Sequence, residues 1–266
     1  MPFFQPTDTH LTAFQRDGYF VVPDLFTAEE TRLLAAVARA DAALAAASVH
    51  RADGEGGAIR LKVENELDDS LYSAVVRSAR IAGTMRRVLD DEVYHWHHKM
   101  IFKDARTGGA WAWHQDYGYW YNNGCLAPDL ASCLIAVDPA TRANGCLQVL
   151  RGSHRLGRID HGPVGDQTGA DPERVEAACR RLERVYVELP AGGAVFFHSN
   201  LLHRSDQNTS DQPRWAFICC YNTRTNDPYK ASRHPGYTPL EVWPDERVLA
   251  VARADAARLG VLEPSR

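Results

Sequence analysis

The sequence has no hydrophobic run that approaches the roughly 20 apolar residues needed to cross a membrane. Its first residues, MPFFQPTDTH, lack the basic start and the apolar stretch of a secretory signal. An excess of one charge is also missing, because 30 basic and 34 acidic residues give a net charge of −4 without a basic cluster. These absences favour a cytoplasmic protein whose partner is a small molecule, not a nucleic acid or a membrane.

The six cysteines include no CxxC pair, and the adjacent Cys219 and Cys220 would make an awkward disulfide. We therefore expect small buried residues in a reducing compartment instead of a disulfide framework. With 45% hydrophobic and 24% charged residues among 266, the chain has the composition and length of one folded domain. Nothing in the composition indicates the oligomeric state, and a monomer or homodimer is the default expectation.

The pattern of residue types in the sequence changes at about residue 90. Helical spacing and capping residues dominate before this point, whereas short β-branched and aromatic runs alternate with turn residues after it. We expect a single α+β domain with a helical N-terminal part (about 1–90), a β core (about 91–225) and a C-terminal extension (226–266). Helices are predicted over residues 8–17, 27–47, 70–88 and 245–259, and strands over 19–22, 93–102, 132–137, 146–150, 184–189, 194–197 and 215–221.

A metal site is predicted from the motif Trp113-His-Gln-Asp116. In an extended chain, residues i and i+2 project to the same face, so His114 and Asp116 can reach one ion. His203, at the end of a distant apolar strand, offers a third ligand. Two imidazoles and one carboxylate leave open positions, which suits non-haem iron(II), and zinc is the chemical alternative.

Ser205 and Arg214 follow the third ligand at spacings that predict an anion site. A hairpin over residues 206–213 would bring Arg214 back alongside His203. An arginine fork and a serine hydroxyl can hold the far carboxylate of 2-oxoglutarate while its keto acid end chelates iron. A metal-dependent hydrolase on the same triad needs neither residue, and a non-catalytic jelly-roll protein that binds a small ligand needs no intact triad. The joint pattern therefore favours an oxygenase over both alternatives.

With these residues, the sequence resembles the phytanoyl-CoA dioxygenase family. The resemblance implies a mainly β fold, a double-stranded β-helix (jelly roll, cupin-like) flanked by N-terminal and C-terminal helices. It also implies an iron(II)- and 2-oxoglutarate-dependent dioxygenase that uses O2, hydroxylates an unactivated C–H bond and releases succinate and CO2, with ascorbate as an agent that keeps iron reduced. The segments that carry it are Gly18-Tyr-Phe-Val-Val-Pro23, Trp113-His-Gln-Asp116, Asn144-Gly-Cys-Leu-Gln-Val-Leu-Arg-Gly-Ser-His154, Val195-Phe-Phe-His198, Leu202-His-Arg-Ser205 and Pro213-Arg214.

The same resemblance assigns roles to individual residues. Family halogenases replace the carboxylate ligand with a small residue, so the presence of Asp116 favours hydroxylation over halogenation. A tryptophan that some members place beside the cosubstrate aligns with Ile135, which implies a different wall there. By resemblance, His114, Asp116 and His203 hold the iron, while Arg214, Ser205, Lys62 and Met100 contact 2-oxoglutarate.

The substrate is expected to be a small polar metabolite, because no basic cluster suits the phosphates of coenzyme A. The aromatic residues after the metal motif either pack at the mouth of the jelly roll or form a substrate wall, where they could hold a cationic group. His95 and His97 share a strand face, so a second metal site is an alternative to hydrogen-bonded core residues. The glycine-rich segment 155–170 is a candidate lid. Candidate substrate residues are Tyr117, Tyr119, Trp120, Asn122, Lys103, Arg158 and His161.

Overall fold

The computed structural model describes residues 4–53 and 56–262. No helix within these residues combines the length and the apolar surface needed to span a bilayer. The helices are α1 (Asp8–Asp17), α2 (Ala28–Ala40), α3 (Ala42–Ala46), α4 (Leu71–Arg77), α5 (Ala79–Leu89), α6 (Asp116–Trp120), α7 (Pro172–Cys179) and α8 (Glu246–Arg258). The strands are β1 (Tyr19–Val22), β2 (Val49–Ala52), β3 (Ala58–Glu64), β4 (Val93–Lys103), β5 (Trp111–His114), β6 (Leu130–Ala136), β7 (Leu147–Leu150), β8 (His161–Val164), β9 (Gln167–Ala170), β10 (Arg184–Val187), β11 (Ala194–His198), β12 (His203–Ser205) and β13 (Arg214–Thr223).

Two antiparallel sheets form the centre of the molecule. The larger sheet has seven strands in the order β1-β11-β6-β13-β4-β3-β2, and the smaller has four in the order β10-β7-β12-β5. Strands that are far apart in sequence are neighbours in both sheets, and apolar side chains from both sheets share one cluster. This is the jelly roll that the sequence resemblance implies.

The larger sheet separates two hydrophobic clusters. Its outer face packs against α1, α2, α4, α5 and α8, and its inner face contributes to the cluster shared with the smaller sheet. Side chains alternate between these faces along β4: Met100 and Phe102 join the helices, whereas Ile101 points between the sheets. A side chain on the larger sheet therefore reaches the interior of the jelly roll only from alternate positions.

The two long predicted helices are each interrupted by a capping residue. Asp41 separates α2 from α3, where its side chain accepts a hydrogen bond from the Leu44 backbone N–H at 2.9 Å. Ser78 separates α4 from α5 with an extended backbone. Asp and Ser offer the backbone local hydrogen bonds that compete with a continuous helix. A capping box starts α2, since the Thr27 backbone N–H donates to Glu30 at 2.9 Å and the Thr27 side chain accepts from the Glu30 backbone N–H at 3.2 Å.

The first 90 residues also contribute strands that sequence patterning missed. β2 and β3 pair with each other, and β3 pairs with β4, so this hairpin extends the larger sheet. In the candidate lid, residues 155–170, β8 and β9 form a hairpin that lies against β5. Glycine and proline in β8 masked its strand character. The division of the chain into three parts stays a prediction, but the N-terminal part is not purely helical.

Candidate metal centre and adjoining cavities

Three predicted ligands converge between the sheets. His114 ends β5, Asp116 begins α6, and His203 begins β12, which pairs with β5 so that His203 lies opposite His114. One potential ligand atom from each residue lies within 4.8 Å of the others, and all three residues are buried. They form the one group of this kind in residues 4–53 and 56–262.

The orientation of both imidazoles suits a metal ion. Nδ1 of His114 lies 2.8 Å from the Ala112 carbonyl oxygen, and Nδ1 of His203 lies 2.9 Å from the Leu201 carbonyl oxygen. A neutral imidazole that donates from Nδ1 presents the lone pair of Nε2, and such backbone bonds fix the ring of a metal ligand. Burial lowers the pKa of both imidazoles, which favours this neutral form. The donor set therefore fits a divalent ion such as iron(II).

Neighbouring side chains hold the carboxylate and the segment around it. Asp116 accepts a hydrogen bond from the Ser132 hydroxyl at 3.2 Å, and Nε2 of His114 lies 3.9 Å from its other oxygen. The side-chain amide of Gln115 donates to the carbonyl oxygens of Gly157 and Asn200, and its oxygen accepts from the Ile159 N–H. Sequence patterning gave no signal for Gln115, which ties the metal motif to two distant loops.

An inner cavity begins at the triad and ends at Arg214. This guanidinium is buried, with 5% of the residue exposed, and donates to the Gly145 carbonyl oxygen at 2.7 Å, while its Nε has no partner. Burial lowers the pKa of Arg214 to about 10. Ser205 also lines the cavity and accepts a hydrogen bond from Lys103 at 2.8 Å. In the described part of the chain, no carboxylate lies within 4.0 Å of Arg214, so this end of the cavity can accept an anion.

An outer cavity lies on the other side of the triad. It shares Lys99, Trp111, His114 and Asp116 with the inner cavity, so two of the three candidate ligands line both spaces, and His203 lines the inner one. A metal ion held there would have a ligand space on each side. The outer cavity is further lined by residues that include Arg51, His97, Tyr119, Trp120, Arg233 and His234.

Most of the chain, residues 14–216, matches the family described as phytanoyl-CoA dioxygenase (PhyH). The chain belongs to this family. L-proline trans-4-hydroxylase of Streptomyces griseoviridis is 32% identical over 205 residues, which cover 70% of this chain and 74% of that protein. Ectoine dioxygenase of Stutzerimonas stutzeri (strain A1501) is 28% identical over 266 residues, covering 88% of this chain and 86% of that protein.

Solved structures of EctD from S. alaskensis are similar over nearly the whole fold. The form with 2-oxoglutarate and 5-hydroxyectoine has a TM-score of 0.77 and 26% identity, and it covers 90% of this chain and 88% of that one. The form with bound Fe has a TM-score of 0.76. The phytanoyl-CoA dioxygenase family member described here is thus an iron(II)- and 2-oxoglutarate-dependent dioxygenase with a jelly-roll core. The predicted fold class, enzyme class, iron, 2-oxoglutarate and O2 are confirmed.

In this family member, the path that brings Arg214 to the cavity differs from the predicted hairpin. β12 belongs to the smaller sheet and β13 to the larger one, so residues 206–213 cross between sheets. Arg214 pairs with Lys103 of β4 and faces Ser205 across the interior. The hairpin is wrong because turn residues are equally compatible with a crossover, but the expected proximity of Ser205 and Arg214 is present.

Two expected cosubstrate contacts, Lys62 and Met100, lie on the opposite face of the larger sheet. They are register partners on β3 and β4 and line a separate cavity beneath the helices, where Lys62 forms an ion pair with Glu64 at 3.0 Å. This placement is inconsistent with contact to a ligand between the sheets. Strand alternation directs Lys99 and Ile101 to the inner cavity instead.

Ile135, which was expected to form a wall of the cosubstrate pocket, also lies on the face of the larger sheet that packs against the helices. Ile135 packs in the cluster beneath the helices, and its neighbour Leu134 lines the inner cavity. Side chains alternate between the two faces of a sheet, so the placement of Met100 on β4 and of Ile135 on β6 could have been predicted from the sequence. On β4, Lys99 and Lys103 share one face, and Met100 lies on the other. The resemblance identified the right segments of these strands, but it did not indicate which face of the sheet lines the cavity.

The candidate substrate residues separate into two groups. Tyr119 and Trp120 line the outer cavity, whereas Lys103 is fully buried behind Ser205, where it bonds to the Ser205 hydroxyl and to the Asp206 carbonyl oxygen. The others do not line either cavity: the Tyr117 hydroxyl donates to the Leu126 carbonyl at 2.6 Å, Asn122 is exposed in a turn, Arg158 pairs with Asp160 at 2.5 Å, and His161 packs behind the metal motif.

His161 has a supporting role that the sequence did not reveal. Its Nδ1 lies 2.8 Å from the Ile159 carbonyl oxygen, and its Nε2 accepts from the Gln115 N–H at 2.9 Å. Both nitrogens are therefore occupied by backbone groups. A Cβ at Gly118 would meet the His161 ring at 2.1 Å, so the ring approaches α6 closely only because residue 118 is glycine.

The histidine run on β4 does not form a second metal group within the described residues. Nε2 of His95 lies 3.0 Å from Nδ1 of His98, which leaves these two rings bonded to each other. His97 faces the outer cavity and stacks on His234, with ring centroids 5.1 Å apart. The run therefore combines a buried hydrogen-bonded pair with one cavity residue.

Proposed function

We propose that this dioxygenase hydroxylates an unactivated C–H bond of a small polar metabolite, with release of succinate and CO2. The observation that carries the proposal is a triad whose two imidazoles are fixed through Nδ1, beside a cavity that ends at a buried Arg214 whose Nε has no partner. The relatives named as acting on L-proline and on ectoine support a substrate of this size and polarity. The intact carboxylate at Asp116 favours hydroxylation over halogenation.

In this proposal, His114, Asp116 and His203 hold the iron. The backbone carbonyls behind the two imidazoles keep Nε2 of each ring directed at the ion, and Ser132 orients the carboxylate from behind. When bound, the iron supplies the activation of O2, coupled to decarboxylation of 2-oxoglutarate. The protein contributes a fixed geometry and a largely apolar wall that excludes water.

The inner cavity takes 2-oxoglutarate. Arg214 has free donor capacity, and Ser205 is positioned by Lys103, so together they can hold the C5 carboxylate by charge-assisted hydrogen bonds. Burial, reinforced by the nearby charge of Arg214, lowers the pKa of Lys103 well below its ordinary value, and a bound anion would favour the charged form of this amine. A bound carboxylate would compensate the buried charge at this end of the cavity.

The outer cavity takes the substrate. It reaches His114 and Asp116 from the side opposite the Arg214 end, and Tyr119 and Trp120 form part of its wall. A substrate held there would present a C–H bond to the metal while 2-oxoglutarate remains in the inner cavity. Tyr119 is fixed by a hydrogen bond from its hydroxyl to the Thr168 carbonyl at 2.5 Å, so this wall is preformed.

Anaerobic reconstitution with iron(II) and 2-oxoglutarate tests the proposal. We expect the weak visible charge-transfer band of the chelate in the native protein, followed by succinate release when O2 and a substrate such as L-proline or ectoine are added. Asp116→Ala should abolish substrate-coupled succinate formation, and Asp160→Ala, at an exposed carboxylate, should retain it. Absence of the band from the native protein, or full coupling in Asp116→Ala, would contradict the assignment. A metal-dependent hydrolase should not bind 2-oxoglutarate at all.

A further inference from the structure

The outer cavity carries an excess of positive charge. Arg51 and Lys99 are half-buried in its wall, and Arg233 lies exposed at its edge. Within residues 4–53 and 56–262, no carboxylate lies within 4.0 Å of any of the three cationic groups. Asp116 is the one acidic residue among those that line the cavity, and it is already a proposed ligand of the iron. A cavity of this kind attracts anions.

Two of these cations come from segments outside the jelly-roll strands that hold the metal. Arg51 is on β2, where its guanidinium donates to the Asp166 carbonyl oxygen at 3.2 Å in the turn between β8 and β9. Arg233 lies in the segment before α8, and its carbonyl oxygen accepts from the Asn65 side chain at 2.9 Å. The guanidinium of Arg51 is thus held by a neutral carbonyl and Arg233 is held through its backbone, which leaves both charges available to a ligand.

The cavity also contains buried polar atoms without a partner. Nδ1 of His97 and Nε2 of His234 make no hydrogen bond, although both residues are more than nine-tenths buried. Their rings stack at 5.1 Å with an interplanar angle of 28°. Buried polar groups are rarely left unsatisfied in a folded protein, so these atoms are suited to hydrogen bonds with a ligand.

We propose that the substrate is a small organic oxyanion whose carboxylate or phosphate group binds Arg51 and Arg233, with its remaining polar atoms against His97 and His234. This inference rests on the proposed function, because it assigns the substrate class of the same site. Guanidinium forks match the geometry of both oxyanions. A cationic substrate held by aromatic faces, the alternative suggested by the sequence, would find three positive groups and no free carboxylate in the described wall.

Matched acids and amides test the charge requirement. We would titrate L-proline against L-prolinamide, and L-pipecolate against L-pipecolamide, into the protein loaded anaerobically with iron(II) and 2-oxoglutarate. Glycerol 3-phosphate against glycerol forms the phosphate arm. Binding is measured by isothermal titration and coupled turnover by succinate release after O2 is added. We expect at least one acid to bind about tenfold tighter than the partner that lacks its acidic group, the lower end for loss of a charged hydrogen bond. The arm that responds identifies the oxyanion.

Arginine variants then locate the charge that matters. Arg51→Gln and Arg233→Gln should each weaken binding of the preferred acid about tenfold and leave binding of its amide unchanged. Arg32→Gln, at an exposed arginine on α2, is the matched control and should change neither.

Two results would overturn the proposal. One is a panel in which no acid binds tighter than the partner that lacks its acidic group, including a panel in which no compound binds. The other is an acid preference that persists in both variants. The charge-transfer band of the 2-oxoglutarate complex would still form in these cases, whereas its absence would count against the proposed function itself.

Discussion

Two arginines are buried within residues 4–53 and 56–262, and they have different partners. Arg80, on α5, donates to both carboxylate oxygens of Glu30 at 3.0 and 2.7 Å, and its Nε lies 3.2 Å from Asp245. Arg214, on β13, donates to one backbone carbonyl and has an unused Nε. The first arginine joins three helical segments, whereas the second closes one end of a cavity.

The difference is visible in how each charge is compensated. Burial lowers the pKa of Arg80, but its bonds to Glu30 and Asp245 outweigh that effect and leave the pKa raised. Burial lowers the pKa of Arg214 to about 10, and the more distant Asp138 offsets only part of that effect without forming an ion pair with it. A buried charge without a partner costs stability, and functional sites are where proteins retain such costs. We infer that Arg80 stabilises the fold and that Arg214 is held ready for a ligand anion.

Arg80→Met should produce the largest loss of stability. It leaves Glu30 and Asp245 buried without their shared cation, and removing one partner of a buried ion pair costs about 3–5 kcal/mol. The free energy of unfolding from urea titration checks this. Arg253→Met is the control, because Arg253 of α8 forms an exposed ion pair with Glu29 of α2. This substitution should cost less than about 1 kcal/mol. Equal effects of both variants would remove the distinction between buried and exposed pairs.

Arg214→Met should show the reverse pattern. The affinity for 2-oxoglutarate should fall about a hundredfold, because two charge-assisted hydrogen bonds are lost. The stability of the ligand-free protein should stay equal or rise. The folded-state pKa lies below the unfolded value, so at every pH below about 10 the folded state carries the cost of a protonated, unpaired Arg214. Anaerobic 2-oxoglutarate titration and urea unfolding, each on the same sample, measure the two effects.

A loss of several kcal/mol of stability in Arg214→Met would mean that this arginine is structural like Arg80. Arg180→Met provides a reference, since Arg180 pairs with Glu176 at the surface and lies outside both cavities. It should leave the affinity for 2-oxoglutarate unchanged.

Ser205→Ala should have a smaller effect on the same ligand. A single hydrogen bond contributes about 1 kcal/mol, so the affinity for 2-oxoglutarate should fall about fivefold. Lys103 would also lose its side-chain acceptor but keep its bond to the Asp206 carbonyl. Isothermal titration at two ionic strengths measures the change. A loss as large as that in Arg214→Met would show that the hydroxyl, through Lys103, controls the whole anion site.

The features that were predictable from the sequence depend on short-range order. His114 and Asp116 are two residues apart at a strand end, so their convergence follows from strand geometry. Ser205 and Arg214 were identified by spacing and chemistry, although the connecting path is a crossover between sheets. The outer cavity could not be derived in this way. Arg51 and Arg233 reach it from a hairpin and a loop that are 182 residues apart in the sequence, and no local pattern marks such a meeting.

Lys62 and Met100 show the limit of a resemblance that does not specify the face of a strand. Both were assigned to the cosubstrate, and both lie beneath the helices. The alternation of side chains along β4 places Lys99 between the sheets, one position from Met100. Periodicity would have corrected the assignment, provided that the strand itself had been predicted. β3 was missed although residues 58–64, which follow a glycine-rich loop, alternate apolar and charged side chains as a half-buried strand does.

Lys62→Met should therefore have the smallest effect. Its ammonium pairs with Glu64 at a partly exposed surface, so stability should change by less than about 0.5 kcal/mol and the dissociation constant of 2-oxoglutarate should stay within twofold. Lys99→Met is the matched comparison, because its ammonium lines both cavities beside the triad; there the affinity should fall about tenfold. If Lys62→Met weakened 2-oxoglutarate binding as Arg214→Met does, the ligand would have to approach the sheet from the helical side. Lys62 beneath the helices and Lys99 in the cavity would then both contribute to binding of 2-oxoglutarate, and the contrast between these two positions would fail.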